Sequence, residues 1–314
     1  MSDLKICFMG TPDFARTVLE SLVNEGYKVV LCCCQPDKPV GRKKIITAPP
    51  VKVFAQEKGI DVFQPDSMRT DEAYETISRY EPDLIITAAY GKILPSKILN
   101  IPTMGCVNVH ASLLPKYRGA APVQYAIMNG DTVTGVTIME MDEGMDTGAM
   151  IDKVEVAIRK DVDTETLMSE LAVEGSKLLI DTLPKYLSGE ILAHAQNNDE
   201  ATVCGQIKPD QGVIDWNWSA QKIHDMVRAL TNWPGASTIL DGNKLKIYKT
   251  HVAEFEDTDL KPGQIAKAHK KDLFVKCGEG YLAIDELQTA GGKRLQAIDC
   301  AHNFKVGTML GEGV

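Results

Sequence analysis

Apolar residues in the first two hundred positions follow two different spacings. Nearly unbroken apolar runs, typical of strands buried on both faces of a sheet, lie at residues 5–9, 28–34, 61–63, 83–88, 105–109 and 135–139. Segments whose apolar residues recur at helical spacing lie at residues 13–24, 51–58, 70–80 and 162–187. Strands that alternate with helices predict right-handed βαβ units and a largely parallel sheet with helices on both faces.

The pattern changes near residue 190. A polar stretch at residues 197–201 precedes a region beyond residue 236, where short strand-like runs alternate with glycine turns. Such runs predict a small β-barrel. We therefore expect a Rossmann-like α/β domain over residues 1–189, a linker over 190–207 and a β-barrel domain over 208–314. The three tryptophans are expected in the core of the second domain rather than stacked on bases, namely Trp216, Trp218 and Trp233.

A long irregular segment follows the second predicted strand. Residues 35–50 lack periodicity and carry several prolines, so the sequence predicts a loop of about 16 residues. Loops of this length are usually functional or disordered. The loop contains Lys38, Arg42, Lys43 and Lys44. These residues predict either contact with a polyanion such as RNA or a solvated, mobile surface loop.

The chain as a whole is acidic. It has 34 Lys and Arg against 43 Asp and Glu, a net charge of −9. The excess lies in residues 1–204, with 20 basic and 29 acidic residues, whereas residues 205–314 have 14 of each. The overall charge therefore argues against a nucleic-acid partner, and a local basic groove would have to hold one at salt-dependent affinity.

Eight cysteines, three of them consecutive, fall mostly in apolar strand-like runs. No C-x-x-C pair occurs in the sequence, so we expect buried, reduced thiols and no metal site. The sequence has neither an apolar run of about 20 residues nor the pattern of a signal peptide. We expect a cytoplasmic protein without a membrane partner.

The first predicted strand ends in a turn that superficially suggests dinucleotide binding. Gly10 is followed by Pro12 and Phe14 where a G-x-G-x-x-G fingerprint would have glycines. The second strand also ends without an acidic residue for a ribose. A nicotinamide-dependent dehydrogenase is therefore disfavoured. The turn predicts either a plain strand-to-helix connection or a contact with substrate.

The strongest candidate chemistry lies at the end of the predicted strand 105–109. Asn108 and His110 are two residues apart, so both side chains should lie on the same side of the strand. An amide can donate to a developing oxyanion, and an imidazole can accept or deliver a proton. The alternative is a polar strand end without a catalytic role. The pair, followed by the turn at Pro115, favours carbonyl chemistry.

An acidic, glycine-rich turn follows the next predicted strand. It contains Asp142, Glu143 and Asp146. Their spacing is not that of a calcium-binding loop, so cation binding is only weakly supported. A single carboxylate that reaches back to His110 and fixes its tautomer is the simpler interpretation.

Together these blocks resemble the formyltransferase family that uses 10-formyltetrahydrofolate. The likeness covers the Asn-Val-His and Ser-Leu-Leu-Pro blocks, Arg118-Gly119 and the acidic turn. The resemblance implies a catalytic set of Asn108, His110 and Asp146. It also implies a folate site lined by Ser112, Leu113, Leu114, Pro115, Ala89, Tyr90, Gly91 and Ile93.

Further blocks are similar to the members of this family that act on methionyl-tRNA. The likeness implies that the loop bearing Lys38, Arg42, Lys43 and Lys44 clasps the acceptor stem, and that Phe14 lies by the methionyl site. Residues 212–216 and 228–236 resemble the start of a C-terminal OB-like domain that binds tRNA. One departure is the apolar pair at residues 45–46, directly after the basic loop tip.

The resemblance therefore implies transfer of a formyl group from 10-formyltetrahydrofolate to the amine of initiator methionyl-tRNA. We expect a cytoplasmic monomer that needs no metal. Two alternatives stay open. A formyltransferase or hydrolase for a small substrate would not need the basic loop or the basic residues Lys244, Lys246 and Lys249. A non-catalytic RNA-binding module would not need the intact catalytic set.

Overall fold

A computed structural model describes residues 3–41, 43–256 and 259–311 of the chain. Its contacts divide the chain into two compact units. The first unit comprises Met1–Pro122, Val133–Ala157 and Met168–Gly205. The second comprises Val123–Thr132, Ile158–Leu167 and Gln206–Val314.

Strands and helices are numbered here along the whole chain. The strands are β1 (Lys5–Gly10), β2 (Lys28–Cys33), β3 (Lys38–Val40), β4 (Ile45–Thr47), β5 (Val62–Phe63), β6 (Leu84–Ala88), β7 (Cys106–His110), β8 (Arg118–Gly119), β9 (Val133–Glu140), β10 (Met150–Ala157), β11 (Val203–Cys204), β12 (Ala236–Leu240), β13 (Asn243–Ala253), β14 (Ile265–His269), β15 (Asp272–Lys276), β16 (Tyr281–Gln288) and β17 (Arg294–Gln296). The helices are α1 (Asp13–Asn24), α2 (Pro50–Glu57), α3 (Asp71–Arg79), α4 (Ser96–Leu99), α5 (Pro122–Met128), α6 (Thr164–Leu187), α7 (Ala220–Ala229) and α8 (Ala297–Cys300).

The first unit is built on a central sheet. Among the described residues it has seven strands in the order β10-β9-β7-β6-β1-β2-β5. The pairs from β7 through β5 are parallel, which confirms the predicted Rossmann-like α/β class. Strands β9 and β10 run antiparallel at one edge. Strand β10 is absent from the predicted elements because its polar and apolar residues alternate, as expected at an edge with one solvated face.

Burial explains why the central strands read as continuous apolar runs. All five residues of β6 are buried, because helices cover both faces of the sheet. Helix α1 buries a stripe at helical spacing that includes Val18, Leu19 and Leu22. It begins just after Gly10, where an added Cβ would lie 2.5 Å from the Cβ of Ala15. Glycine there lets the helix start close against the strand end.

The predicted irregular loop at residues 35–50 has structure of its own. Strands β3 and β4 form a short antiparallel hairpin, with Val40 opposite Ile45 and Lys38 opposite Thr47. Three-residue strands with an internal proline are too short to give a periodic signal, so the expectation of an irregular loop was wrong here. Arg42, one of the four basic residues of the predicted loop, lies outside the described residues.

Most of the segment predicted as a linker is fastened to the first unit. His194 forms a β-bridge with Met150, and β11 pairs in parallel with β8. The polar stretch at residues 197–201 is therefore part of a segment that backbone hydrogen bonds hold as far as Cys204.

The second unit is an antiparallel β domain. Its strands follow the order β12-β13-β16-β15-β14, with β17 paired to β16. Helix α7 is capped by the Ser219 hydroxyl, which accepts from the Lys222 amide. Trp216 is buried and donates to the Thr238 hydroxyl at 3.0 Å, as a core residue, whereas Trp233 is exposed.

None of the helices in the described part of the chain is long and apolar enough to cross a membrane. All eight cysteines are free thiols, and all are buried. Loss of solvation on burial raises the pKa of Cys34, Cys106 and Cys277 to about 12 each.

This burial predicts thiols that are unreactive until the protein unfolds. A thiol pKa of about 12 leaves on the order of a thousandfold less thiolate than a free cysteine has at neutral pH. We expect less than one thiol per native chain to react with a disulfide reagent at pH 8 while all eight react in denaturant. Rapid stoichiometric labelling of the native protein would contradict the placement of these residues in the core.

Candidate active site

Two polar side chains of the candidate site share the carboxyl end of β7. In the parallel pairing with β6, Asn108 lies opposite Thr87. In the antiparallel pairing with β9, His110 lies opposite Thr137. The alternation of the strand places Asn108 and His110 on the same side, as their spacing predicts.

The Thr87 hydroxyl fixes the orientation of the Asn108 amide. It donates to Asn108 Oδ1 at 2.7 Å, and Thr87 itself is buried. With its oxygen engaged, Asn108 has its NH₂ end available to donate. The sequence analysis missed Thr87. The available signal was one hydroxyl in an otherwise apolar buried strand.

His110 is almost fully buried, with 6% of its surface exposed. Its Nε2 lies 3.0 Å from the carbonyl oxygen of Tyr117, which can only accept, so Nε2 must carry a proton. Its Nδ1 lies 3.7 Å from Asp146 Oδ2, beyond hydrogen-bond range. The expectation that a carboxylate fixes the tautomer was therefore wrong, because a backbone carbonyl performs that role.

Asp146 faces His110 from the acidic turn after β9. Its Oδ2 accepts a hydrogen bond from the Gly119 amide at 2.8 Å. Its backbone has a left-handed φ of 55°, which a residue with a side chain rarely adopts. Asp142 instead accepts from Gly144 and Thr147 within the turn, and Glu143 pairs with Ser96.

Asp142 thus holds the shape of the turn, and Glu143 connects the turn to α4. Among the described residues, no group of three or more His, Cys, Asp or Glu side chains is placed to hold a metal ion.

The side chains of residues 112–115, which follow β7 and were predicted to line the folate site, are buried or half-buried. Ser112 is fully buried and donates its hydroxyl to the Lys116 carbonyl at 2.7 Å. Leu114 is also buried, and its amide donates to the Thr137 hydroxyl at 3.1 Å. Leu113 and Pro115 are half-buried. A ligand here would meet mainly Leu113, Pro115 and backbone.

The segment after β6 lies beside the same strand ends. Tyr90 is buried, its hydroxyl donates to Met68 Sδ at 3.2 Å, and burial raises the pKa of that hydroxyl. Ala89 and Gly91 are exposed, with left-handed φ values of 43° and 77°. Ile93 is 70% exposed. The surface available to a ligand is thus that of Ala89, Gly91 and Ile93 rather than the Tyr90 ring.

Phe14, predicted to lie by the methionyl site, is buried on α1. The hairpin lysines Lys38, Lys43 and Lys44 are exposed. So are the apolar residues Val40, Ile45 and Ile46.

The base of the hairpin is held by polar contacts. Asp37 accepts hydrogen bonds from Gln64 and Lys52, at 2.8 Å each, and these two contacts lower the pKa of its carboxyl group. Gln35 donates to the carbonyl oxygens of Tyr90 and Gly91, at 3.1 and 3.2 Å. These contacts join the hairpin base to the segment after β6.

Comparison with known proteins gives a consistent result over the whole chain. Residues 4–183 match the family described as "Formyl transferase", and residues 206–305 match "Formyl transferase, C-terminal domain". The chain is 44% identical over 306 residues to the methionyl-tRNA formyltransferase of Ruminiclostridium cellulolyticum, covering 97% of this chain and 98% of that protein.

Solved structures share the fold at lower sequence identity. HypX from Aquifex aeolicus in complex with tetrahydrofolic acid matches with a TM-score of 0.67 at 17% identity, over 95% of this chain and 47% of that one. The methionyl-tRNA formyltransferase from Clostridium thermocellum matches with a TM-score of 0.56 at 20% identity, over 80% of this chain and 94% of that one.

The contact between His110 and Tyr117 predicts the tautomer of the neutral ring. In nitrogen-15 NMR of histidine-labelled protein, Nε2 of His110 should resonate as a protonated nitrogen and Nδ1 as an unprotonated one. A His110→Gln variant assigns the signal by its disappearance. The same tautomer is expected in Asp146→Asn, because the Tyr117 carbonyl sets it. A neutral ring protonated on Nδ1 would contradict this arrangement.

Proposed function

The chain belongs to the methionyl-tRNA formyltransferase family, and we infer that it transfers the formyl group of 10-formyltetrahydrofolate to the free amine of methionyl-initiator tRNA. The product is N-formylmethionyl-tRNA. The observation that supports this reaction best is the Asn108 amide, held by Thr87 with its NH₂ end available beside His110 and Asp146.

The segments assigned to folate suit a planar, partly apolar ligand with hydrogen-bonding edges. The exposed backbone at Ala89 and Gly91 and the exposed Ile93 side chain follow directly from β6. Strand β6 pairs with β7 at Ala88 and Val109, next to the reacting residues. Leu113 and Pro115 add apolar surface. When bound there, 10-formyltetrahydrofolate supplies the formyl group as an acyl donor.

Asn108 acts on the charge that develops during transfer. The neutral amine attacks the formyl carbon, and negative charge builds on the formyl oxygen. The Asn108 amide donates to that oxygen, and one such preorganised donor is typically worth about 3–4 kcal/mol. The Thr87 contact keeps the amide from turning its own oxygen towards the charge.

His110 accepts the proton that leaves the amine, and Asp146 stabilises the protonated ring. Because Nε2 donates to the Tyr117 carbonyl, Nδ1 is the ring nitrogen with a lone pair. We assign the amine proton to Nδ1. Asp146 Oδ2, 3.7 Å away, then stabilises the imidazolium. The new bond joins the amine nitrogen to the formyl carbon, the bond from that carbon to the carrier nitrogen breaks, and the carrier nitrogen takes up a proton.

The acceptor tRNA is assigned to the hairpin and to the second unit. Lys38, Lys43 and Lys44 are exposed on a hairpin whose base is fixed by the Asp37 contacts. Phosphate contacts of this kind position an RNA without reading its sequence. We further propose a monomer, since the three reacting side chains come from one unit of one chain, and a cytoplasmic location, since free thiols suit a reducing compartment.

The reaction is tested by following labelled formyl from 10-formyltetrahydrofolate to methionyl-tRNA in single turnovers. The Asn108→Asp variant keeps the side-chain shape but replaces the N–H donor with a carboxylate oxygen. We expect the transfer rate to fall on the order of 100- to 1,000-fold. Asn100→Asp, at an exposed asparagine of the same unit, should keep the wild-type rate.

Two results would contradict this assignment. An Asn108→Asp variant within tenfold of wild type would remove the amide from the mechanism. Label that reaches water or a small amine, but never the tRNA, would show that the acceptor is wrong while formyl transfer chemistry stands.

The hairpin is tested by the salt dependence of tRNA binding. In a Lys43→Ala, Lys44→Ala double variant we expect weaker binding and a slope of log K against log salt that is shallower by about 1–2, because two phosphate contacts are lost. The rate at saturating tRNA should stay within about threefold of wild type. A Lys28→Ala, Lys58→Ala double variant, at two exposed lysines outside the hairpin, serves as the charge-matched control. An unchanged slope would exclude phosphate contact by these lysines.

A further inference from the structure

Arg118 is the first residue of β8 and follows the segment at residues 112–117. It is a buried cation that donates to uncharged side chains. It is 8% exposed. Its Nε donates to Gln196 Oε1 at 3.0 Å, and its Nη2 donates to Asn198 Oδ1 at 2.8 Å. Burial of a charge is costly unless its donors are satisfied, so these contacts hold the segment at residues 196–198 firmly in place.

Gln196 contacts both Arg118 and the acidic turn that contains Asp146. Its side chain is buried, and its Nε2 donates to the carbonyl oxygens of Asp146 and Gly148, at 2.8 Å each. An amide NH₂ group has two donors, and both are used here. Gln196 therefore holds the turn at the backbone of Asp146 and again two residues later.

The carboxylate of Asp146 is held from the same region. Gly119, next to Arg118, donates its amide to Asp146 Oδ2 at 2.8 Å. Gly119 has a φ of 120°, and an added Cβ would lie 2.2 Å from the Cys204 carbonyl oxygen. The close pairing of β8 with β11 thus requires glycine at this position and aims its amide at Asp146.

The conformation of Asp146 needs such support. A left-handed backbone at a non-glycine residue costs on the order of 1–3 kcal/mol and persists only where its surroundings hold it. One Gln196 contact falls on the carbonyl group of Asp146 itself, and the other falls on that of Gly148, two residues later.

We propose that Gln196, supported by Arg118, is a positioning residue that sets the Asp146 carboxylate opposite His110. Gln196 touches no reacting atom and acts through Asp146. The proposal rests on the proposed function only in that Asp146 must serve formyl transfer. A purely structural clamp on residues 190–205 is the competing explanation.

The test uses two substitutions of different character. Gln196→Met removes all three hydrogen bonds at similar size. Gln196→Glu keeps an acceptor for Arg118 but presents an oxygen to the two carbonyl groups of the turn. For both we expect kcat to fall on the order of 10- to 100-fold, as a misplaced reacting group does, with KM for both substrates within about threefold. Asn197→Ala, at the exposed neighbouring residue, should keep the wild-type kcat.

A double-mutant cycle separates positioning from general structure. If Gln196 acts through Asp146, adding Gln196→Met to Asp146→Asn should cost less than about threefold further, because the group that it positions is already gone. A further loss as large as that in the wild-type background would overturn the proposal. So would a wild-type kcat in both Gln196 variants.

Hydrogen exchange gives a readout that does not depend on activity. The Gly119 amide should exchange at least about tenfold faster in Gln196→Met, because its acceptor Asp146 is displaced. The Leu114 amide, bonded to Thr137, should be unchanged. Unchanged Gly119 protection would overturn the proposal. A wild-type protein that does not formylate methionyl-tRNA would instead refute the proposed function, and Gly119 protection would still decide the role of Gln196.

Discussion

Strand β7 lies between a parallel neighbour and an antiparallel one, and its register against both places two of the side chains proposed to act in catalysis. Asn108 is opposite Thr87 on one side, and His110 is opposite Thr137 on the other. A slip of one residue would turn both side chains to the opposite face of the sheet. Most residues of the neighbouring strands are apolar and buried, so these polar positions need partners. Thr87 and the Tyr117 carbonyl provide them, and the same contacts orient the two groups for chemistry.

Hydrogen bonds between a charged group and an uncharged partner hold the loops around this strand end. Arg118 is next in the chain to Gly119, which contacts Asp146, yet its Nε and Nη2 donate to the side-chain amides of Gln196 and Asn198. The carboxylate accepts from a backbone amide instead. A bidentate arginine partner would neutralise the charge of Asp146. With a neutral donor, that charge remains effective toward His110 when the ring takes a proton.

The sequence was informative where chemistry is local. Asn108 and His110 were selected by their spacing at a strand end, Asp146 was selected by the resemblance to the formyltransferase family, and the α/β class follows from runs of apolar residues. Side-chain accessibility was not recognisable, since Ser112 lies in a polar-looking turn but is fully buried. Gln196 lies in a stretch that reads as a polar linker, and its partner Arg118 is 78 residues away. Contacts at such separations leave no periodic signal, because they depend on how the completed sheet brings turns together.

For binding of an RNA, the positions of individual charges count for more than the net charge of the chain. A net charge of −9 repels a polyanion at long range, but charges on the surface are screened beyond about 8 Å at physiological salt. Only lysines within that distance of a bound RNA would then attract it, so a fixed position of the lysines favours binding. The hairpin base provides this through Asp37, Lys52 and Gln64. Gln35 then joins that base to the carbonyl oxygens of Tyr90 and Gly91. The element proposed to hold the acceptor and the segment proposed to hold the formyl donor therefore share one hydrogen-bonded support within the first unit.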